Sequence, residues 1–516
     1  MAKNATSKFA NVIFKVLVHS GCPTVYQLTP RKEHIGRVTR LTLGEKDAAR
    51  PNKTILLIGE TGTGKSTLIN TLVNYTMGVT WEDDVWFQIV EDEKRGETDS
   101  QKSEVIVYQI FGFEGRTLPY SLTIIDTPGY GDTAGIERDV VIRDRLFDFF
   151  QSVDGIHEVD TVGLVLKASV NRLNDRLRYV FDSAQSLFGK DVEKNIVVLF
   201  TFSDGRTPRN ALKALEASKV KCARNEKNQP VHFLFDNCQH QDRTEYREDL
   251  QYANEVSLKG IKQFSHFLEK TTPQSLETTV AVLNARIQLI GCVQSLQERV
   301  EIIEFQQREI HLVQESLKKY KEKMIKKQNY FDEVDEVYKE REAVRGRATC
   351  CTICEENCHY PGCTIALHPE CCEVMRLSRC TVCKGKCHVQ FHVKENWIFV
   401  DKIRKVQKIN TNRKWKYETY KAECDSKIGR LEKLQKKLEE PRKERDRWLE
   451  KFFQHFVTLE QISLRADSLS TIIHLDFVID QMMEKGDTEK VQKMEEMRHR
   501  VIKYMGTGGL QYISPV

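Results

Sequence analysis

The 516-residue chain has no run approaching the roughly 18 uninterrupted apolar residues that a membrane-spanning helix needs, so no transmembrane segment is expected. Its N-terminus, MAKNATSKFANVIFKVLVHSG, has an apolar stretch broken by Lys15 and no small-residue cleavage site, which argues against a secretory leader. The sequons at Asn4 and Asn52 then carry no weight, and a cytoplasmic location is expected. Charge of one sign is also missing. Lys and Arg number 79 against 74 Asp and Glu, a net +5, so overall charge predicts no nucleic-acid or membrane-surface partner. From Leu276 to Ala343 there is no proline and the only glycine is Gly291, which excludes a loop-rich segment there.

The most informative stretch present is TILLIGETGTGKST, Thr54 to Thr67. An apolar strand leads into a glycine-rich turn and the polar start of a helix, and Gly59, Gly64, Lys65 and Ser66 fit the phosphate-loop pattern G-x-x-x-x-G-K-[ST]. Glycines let backbone N–H groups wrap an anion, and a helix N-terminus adds partial positive charge. The candidate nucleotide contacts are therefore Gly59, Glu60, Thr61, Gly62, Thr63, Gly64, Lys65, Ser66 and Thr67. Lys65 is expected to reach the β/γ-phosphates and Ser66 to ligate Mg²⁺.

From Lys53 to about Thr272, apolar strands alternate with amphipathic segments. The strands expected are 54–58, 105–110, 121–125, 162–166, 196–201 and 231–235; the helical stripes include Leu177, Val180 and Phe181, then Ile261 and Phe264. This alternation predicts a doubly wound, mostly parallel α/β domain over 51–272, preceded by a lead segment, 1–50, to which no function is assigned. Asp126-Thr127-Pro128-Gly129 follows the strand SLTII, 61 residues after Lys65. There a carboxylate can hold Mg²⁺ through water and the Gly129 N–H can read a γ-phosphate. Thr201-Phe202-Ser203-Asp204 follows IVVLF, where Asp204 can accept hydrogen bonds from the N1 and N2 edge of guanine; Asn237, after the strand VHFLF, is a candidate to close over the base.

GETGTGKST, DTPGYGD and TFSD in this order resemble the septin-like branch of the translation-factor-type GTPases, which holds septins and immunity-associated GTPases, over residues 53–270 only. The resemblance implies GTP and GDP as ligands, Mg²⁺ as cofactor, and hydrolysis assisted by a second nucleotide domain packed across the nucleotide. Two departures stand out. Phe202 holds the position where the family's base-recognition motif has lysine, and Tyr130 follows DTPG where Ras-like enzymes place a water-orienting glutamine. Slow hydrolysis follows from the second. The γ-phosphate-sensing threonine must lie in GETDSQKSE; Thr98 is the choice for this catalytic role, with Ser100 and Ser103 as rivals.

Beyond residue 272 the expected order is a helical, coiled-coil arm over 273–347, a Cys/His segment over 348–393 and a helical region over 394–516. Leu289, Val293, Leu296, Val300, Ile303, Gln307 and Ile310 step by four and three, and Val313 to Val334 resume the seam after a phase slip. Shorter bundle helices would give the same stripe. Ten of the fifteen cysteines fall between Cys350 and Cys387. A repeat of period 29 aligns Cys351, Cys354, Cys358, His359 and Cys363 with Cys380, Cys383, Cys387, His388 and His392. Paired CxxC thiolates with further thiolates or imidazoles are what tetrahedral Zn²⁺ takes, and His368, Cys371 and Cys372 between the halves could complete either site. The ligand supply suits two or three zinc ions, and spacing leaves their pairing open; a disulfide cluster or free thiols are the alternatives. The segment does not fit a RING, in which a C-x-H-x-x-C lies ahead of the second CxxC, and this argues against ubiquitin ligase activity. Two functions fit the whole: a slow, oligomerisation-dependent GTPase acting as an assembly switch, self-associating through its nucleotide domain and coiled coil, or a nucleotide-stabilised scaffold recruiting protein partners through arm and zinc segment.

Overall fold

The computed structural model describes residue 9 and residues 15–91, 104–130, 135–363 and 365–509. The chain divides into two compact units, residues 1–301 with 442–516 and residues 302–441.

The first unit is built on an eight-stranded sheet. In chain order its strands are β1 (Arg31–Ile35), β2 (Val38–Leu43), β3 (Asn52–Gly59), β4 (Val105–Ile110), β5 (Ser121–Asp126), β6 (Thr161–Lys167), β7 (Ile196–Thr201) and β8 (His232–Leu234), arranged β8-β7-β6-β3-β5-β4-β2-β1. From β8 to β5 every neighbour is parallel; β4 runs antiparallel to β5, and β1 to β2. The near-continuous apolar runs in β3, β6 and β7 follow from burial on both faces. Successive side chains of a strand point to opposite faces, so Leu56 and Ile58 join one core with Phe149 of α2 (Gly135–Gln151) and Phe181 of α3 (Asp175–Ser186). Ile55 and Leu57 join the other, with Leu68 and Leu72 of α1 (Lys65–Met77) and Phe264 of a later helix, Arg247–Lys270. Residues 31–43, set apart in sequence as a lead segment, are two strands of this sheet. The sheet order reverses at β3, whose C-terminal end therefore faces the crevice where such folds bind ligands.

The same unit contains a second, helical core. Val282, Leu289, Val293 and Leu296 pack with Phe452, Phe456, Leu475, Met482, Met494 and Met497. The helix Glu277–Ile325 holds an apolar 18-residue window of mean hydropathy 1.2, half of it buried within the protein. Among the described residues it is the one helix long and apolar enough to cross a membrane, and its Val282, Leu289, Val293 and Leu296 are buried in this core. Helix Thr411–Ile462 continues through Pro441, and the helical region beyond it is divided at Gly486, whose φ of 85° closes the helix Leu475–Lys485. Buried Arg465 and Asp182 pair at 2.8 Å, and the Arg286 guanidinium donates to the Ser186 and Arg465 carbonyls and to Ser468 and Thr471. These bonds fasten residues 463–471 to α3.

The second unit corrects the helical reading on both sides of the cysteines. Helix stops at Ile325 and does not resume until Thr411; between them Phe331–Cys351 (β9) and His392–Ile409 (β10) form a long antiparallel ribbon. The apolar residues recur every third position, which reads as helix. In the ribbon that same spacing matches across the strands, with Phe331 opposite Ile409, Val334 opposite Val406 and Val337 opposite Ile403. The Glu336–Arg404 ion pair lies between the last two of these rungs, and the Lys339–Asp401 and Glu340–Lys402 pairs lie beyond Val337. At one end of the ribbon, helical residues Ile303, Ile310 and Val313 meet Leu434 and Leu438, with Glu309 on Arg430 and Tyr320 against Tyr420. The pairing is antiparallel, so the unit is one hairpin with helices at its base and the Cys/His segment at its far end.

Candidate nucleotide and metal sites

The nucleotide site forms where β3 ends. Gly62 and Gly64 have φ of 76° and 85°, values that favour glycine and turn the backbone into the first turn of α1. Gly64 caps that helix without any side chain, and its first turn has no acidic residue, so its N–H groups are open to an anion. A Cβ on Gly59 would sit 2.5 Å from the Val165 carbonyl oxygen. Lys65 is buried, its Nζ donating to the carbonyls of Gly59 at 2.9 Å and Glu60 at 3.1 Å, which holds the ammonium inside the loop. Glu60 is anchored outward on Arg176 of α3, Thr63 bonds back to Glu60, and Ser66 is exposed at the helix start. Thr61 lies against Gly129, where a Cβ would come within 2.1 Å of its Oγ1, so the two phosphate-side motifs are in contact through a position only glycine fits. Thr67 follows Ser66 in the first turn and is half-buried.

Asp126 ends β5 beside Lys65. Its Oδ1 is buried without a hydrogen-bond partner, and burial pushes its carboxyl up to about 6 against the opposing pull of the Lys65 cation. An orphaned buried carboxylate oxygen at this place fits a Mg²⁺ site, with Ser66 as the second protein oxygen. Tyr130 departs from the position its place in sequence suggests. Its N–H reaches the Gly59 carbonyl at 3.2 Å, but its ring is wholly buried in the sheet core, so it presents no side chain to a phosphate. Thr98, with Ser100 and Ser103, lies outside the described residues.

On the base side, the Thr201 hydroxyl donates to the Thr63 carbonyl at 2.6 Å and ties β7 to the phosphate loop. Phe202 adopts a left-handed φ of 51°, leaves its ring 56% exposed and places that ring next to Gly64. Lys167, from the end of β6, lies 5.7 Å from the same ring. Asp204 is exposed, with Oδ1 accepting from the Arg206 N–H. Asn237 is buried; its Oδ1 accepts from Ser257 while its Nδ2 has no partner. Lys167 and Arg176 are the neighbours that sequence reading missed, because each comes from an element remote from the motifs.

At the tip of the second unit three groups of ligand atoms converge, each with its atoms within 4.8 Å of one another: Cys351, Cys354, Cys383 and Cys387; Cys358, Cys380, Cys383 and His392; and His359, Cys363 and Cys372. Tetrahedral zinc with Zn–S near 2.3 Å sets ligand atoms about 3.7 Å apart. Cys354 and Cys387 stand 3.6 Å apart, Cys383 and His392 Nε2 3.6 Å, and Cys363 and Cys372 3.7 Å. All fifteen cysteines are free of disulfides. His368, Cys371 and His388 fall outside these groups: His368 and Cys371 are exposed, and His388 accepts from the Gln390 N–H. Of the three candidates between the halves, Cys372 joins a group, because the short 3-10 turn Pro369–Cys371 is followed by Cys372 facing inward.

Comparison with known proteins finds likenesses to part of the chain. The family model described as Septin matches residues 51–140. Immune-associated nucleotide-binding protein 4 of Arabidopsis thaliana is 28% identical over 158 residues, which make up 30% of this chain and 41% of that protein, so the chain spans well under half the relative's length. Among solved structures, Toc33 from Arabidopsis thaliana in complex with GDP and Mg²⁺ is 15% identical, covering 43% of this chain and 86% of that one at a TM-score of 0.28. Toc33 with Mg²⁺ and GMPPNP is 16% identical, covering 43% and 88% at 0.29. By its motifs and these sequence matches the nucleotide domain, and not the arm or the cysteine-rich tip, is similar to the P-loop GTPase domains of the septin-like and immune-associated branch.

Proposed function

We propose that the chain is a guanine-nucleotide switch that hydrolyses GTP slowly, faster when two nucleotide domains associate, and that couples this state to assembly with protein partners through its hairpin arm. The observation that carries the reading is the meeting of Lys65, the uncapped start of α1 and the orphaned Asp126 Oδ1 in one crevice. Lys65 supplies fixed positive charge to the β- and γ-phosphates, and Gly129, packed on Thr61, places a backbone N–H where loss of a γ-phosphate would be felt. Ser66 and Asp126 would hold Mg²⁺, which when bound neutralises phosphate charge. Phe202 offers an exposed ring to the base in place of a lysine stem, and Asp204 accepts from the guanine edge. Thr98 is the proposed γ-phosphate sensor. The Cys/His groups at the tip bind zinc and fold that end of the arm.

A second reading, a nucleotide-stabilised scaffold in which hydrolysis is incidental, is favoured by one observation: Tyr130 is buried, so the position after DTPG offers no group to orient water. GTP turnover measured against protein concentration separates them. Turnover per chain that rises with concentration and is lost in Lys65→Ala supports the switch; bound GTP without turnover at any concentration leaves only the scaffold.

A further inference from the structure

The period-29 repeat does not fold as two successive sites. The CxxC of the first half, Cys351 and Cys354, meets Cys387 of the second, while the CxxC of the second half, Cys380 and Cys383, meets Cys358 of the first. Each half thus lends its third cysteine to the other, a cross-brace with approximate symmetry. The symmetry fails at the fourth ligand. His392 completes the second set, but its repeat partner, Cys363, is drawn into the separate group with His359 and Cys372. The first set is left with three ligands of its own, and Cys383 lies within reach of both sets.

We infer that Cys383 is a bridging thiolate, so that Cys351, Cys354, Cys358, Cys380, Cys383, Cys387 and His392 form one binuclear zinc centre of two tetrahedra sharing a vertex. This rests on the zinc reading of the tip. Sulfur has lone pairs to bind two metal ions, whereas the imidazole at His392 can serve only one, which fits the shared position being a cysteine. Cys383 is fully buried, and its Sγ also accepts the Cys387 N–H at 3.3 Å, while the Cys354 Sγ accepts from Gly385 at 3.4 Å. These backbone bonds fix the thiolates before metal arrives. Gly385 is held to glycine by the centre itself: a Cβ there would lie 2.9 Å from the Cys387 Sγ and 3.1 Å from the Cys354 Sγ.

The test uses full-length chain carrying Cys363→Ala and Cys372→Ala, which removes the third group. Metal analysis is expected to give two zinc per chain, falling to none in the further variant Cys383→Ala. Because that variant could fail for want of folding, the second measurement leaves Cys383 in place. Cobalt is titrated into the metal-free double variant and followed by electron paramagnetic resonance. Two ions sharing a thiolate couple, so the signal should rise with the first equivalent and fall with the second. Two cobalt signals that add, or one zinc per chain, would overturn the bridge and leave zinc binding intact. No zinc in any form would overturn the zinc reading itself.

Discussion

Asp126→Asn offers the sharpest test of how the nucleotide site is built, because burial makes this carboxylate costly to the empty protein. Its carboxyl is raised from 3.8 to about 6. Below pH 3.8 it is protonated in folded and unfolded chains alike and contributes nothing. Between 3.8 and 6 the unfolded chain has released a proton that the folded chain retains, so stability falls as pH rises; above 6 the penalty is constant. Integrating these two values gives a penalty of about 1.6 kcal/mol at pH 5.0 and about 3 kcal/mol at pH 7.5, upper figures for a half-buried residue. Asparagine keeps the shape and removes the charge. In nucleotide-free, Mg²⁺-free full-length protein, Asp126→Asn should therefore be more stable than wild type, and its advantage should be about 1.4 kcal/mol larger at pH 7.5 than at pH 5.0. The measurement is urea-dependent hydrogen exchange of the β3 amides by mass spectrometry, which reports this domain without the arm. With GTP and Mg²⁺ the order should reverse, since the variant loses the Mg²⁺-dependent part of ligand stabilisation. A variant that is less stable than wild type without ligand at pH 7.5, or whose advantage does not change with pH, would refute the account of Asp126.

Asp182→Asn should cost about 3–5 kcal/mol, because buried Arg465 and Arg286 lose a neighbouring anion; adding Arg465→Met should recover part of it, and a double variant no more stable than the single one by thermal denaturation would show that the pair is not coupled. Phe202→Ala should weaken guanine-nucleotide affinity about tenfold if the ring stacks on the base, a loss of about 1.4 kcal/mol within the range of base–aromatic stacking; fluorescent-nucleotide titration giving an unchanged Kd would remove Phe202 from the site. Chelating metal should strip hydrogen-exchange protection from Phe331–Cys351 and His392–Ile409 while leaving β3 protected. A two-stranded ribbon is marginal alone and its exposed ion pairs are each worth about 0.2–1 kcal/mol, so it depends on being closed at its tip. Protection that survives chelation would show the ribbon to be self-sufficient.

The nucleotide half of the molecule was legible because its chemistry is local. The phosphate loop is one consecutive run, Gly59 to Thr67, whose glycines and lysine act within one turn, and the strands around it announce themselves as unbroken apolar runs. Phe202 was recognisable as a departure, though not the left-handed backbone that sets its ring beside Gly64. The arm was misread because a three-residue period is shared by a helix face and by this ribbon, where each apolar residue finds its counterpart on a strand about 70 residues away. Residues 31–43 looked detached because the strand that adopts them, β4, comes after the phosphate loop.

Sequence alone therefore determined that a phosphate loop, a DTPG carboxylate and a TFSD base motif lie in one α/β domain, and that a thiolate-rich segment interrupts a long arm. Tertiary structure decided what depends on partners distant in the chain. It buried Tyr130 in the core, left Asp126 Oδ1 without a partner, seated Asp182 on Arg465 across 283 residues, and exchanged cysteines between two halves of a repeat. Spacing fixes which ligands share a turn; only the three-dimensional approach of separate turns fixes which ligands share an ion.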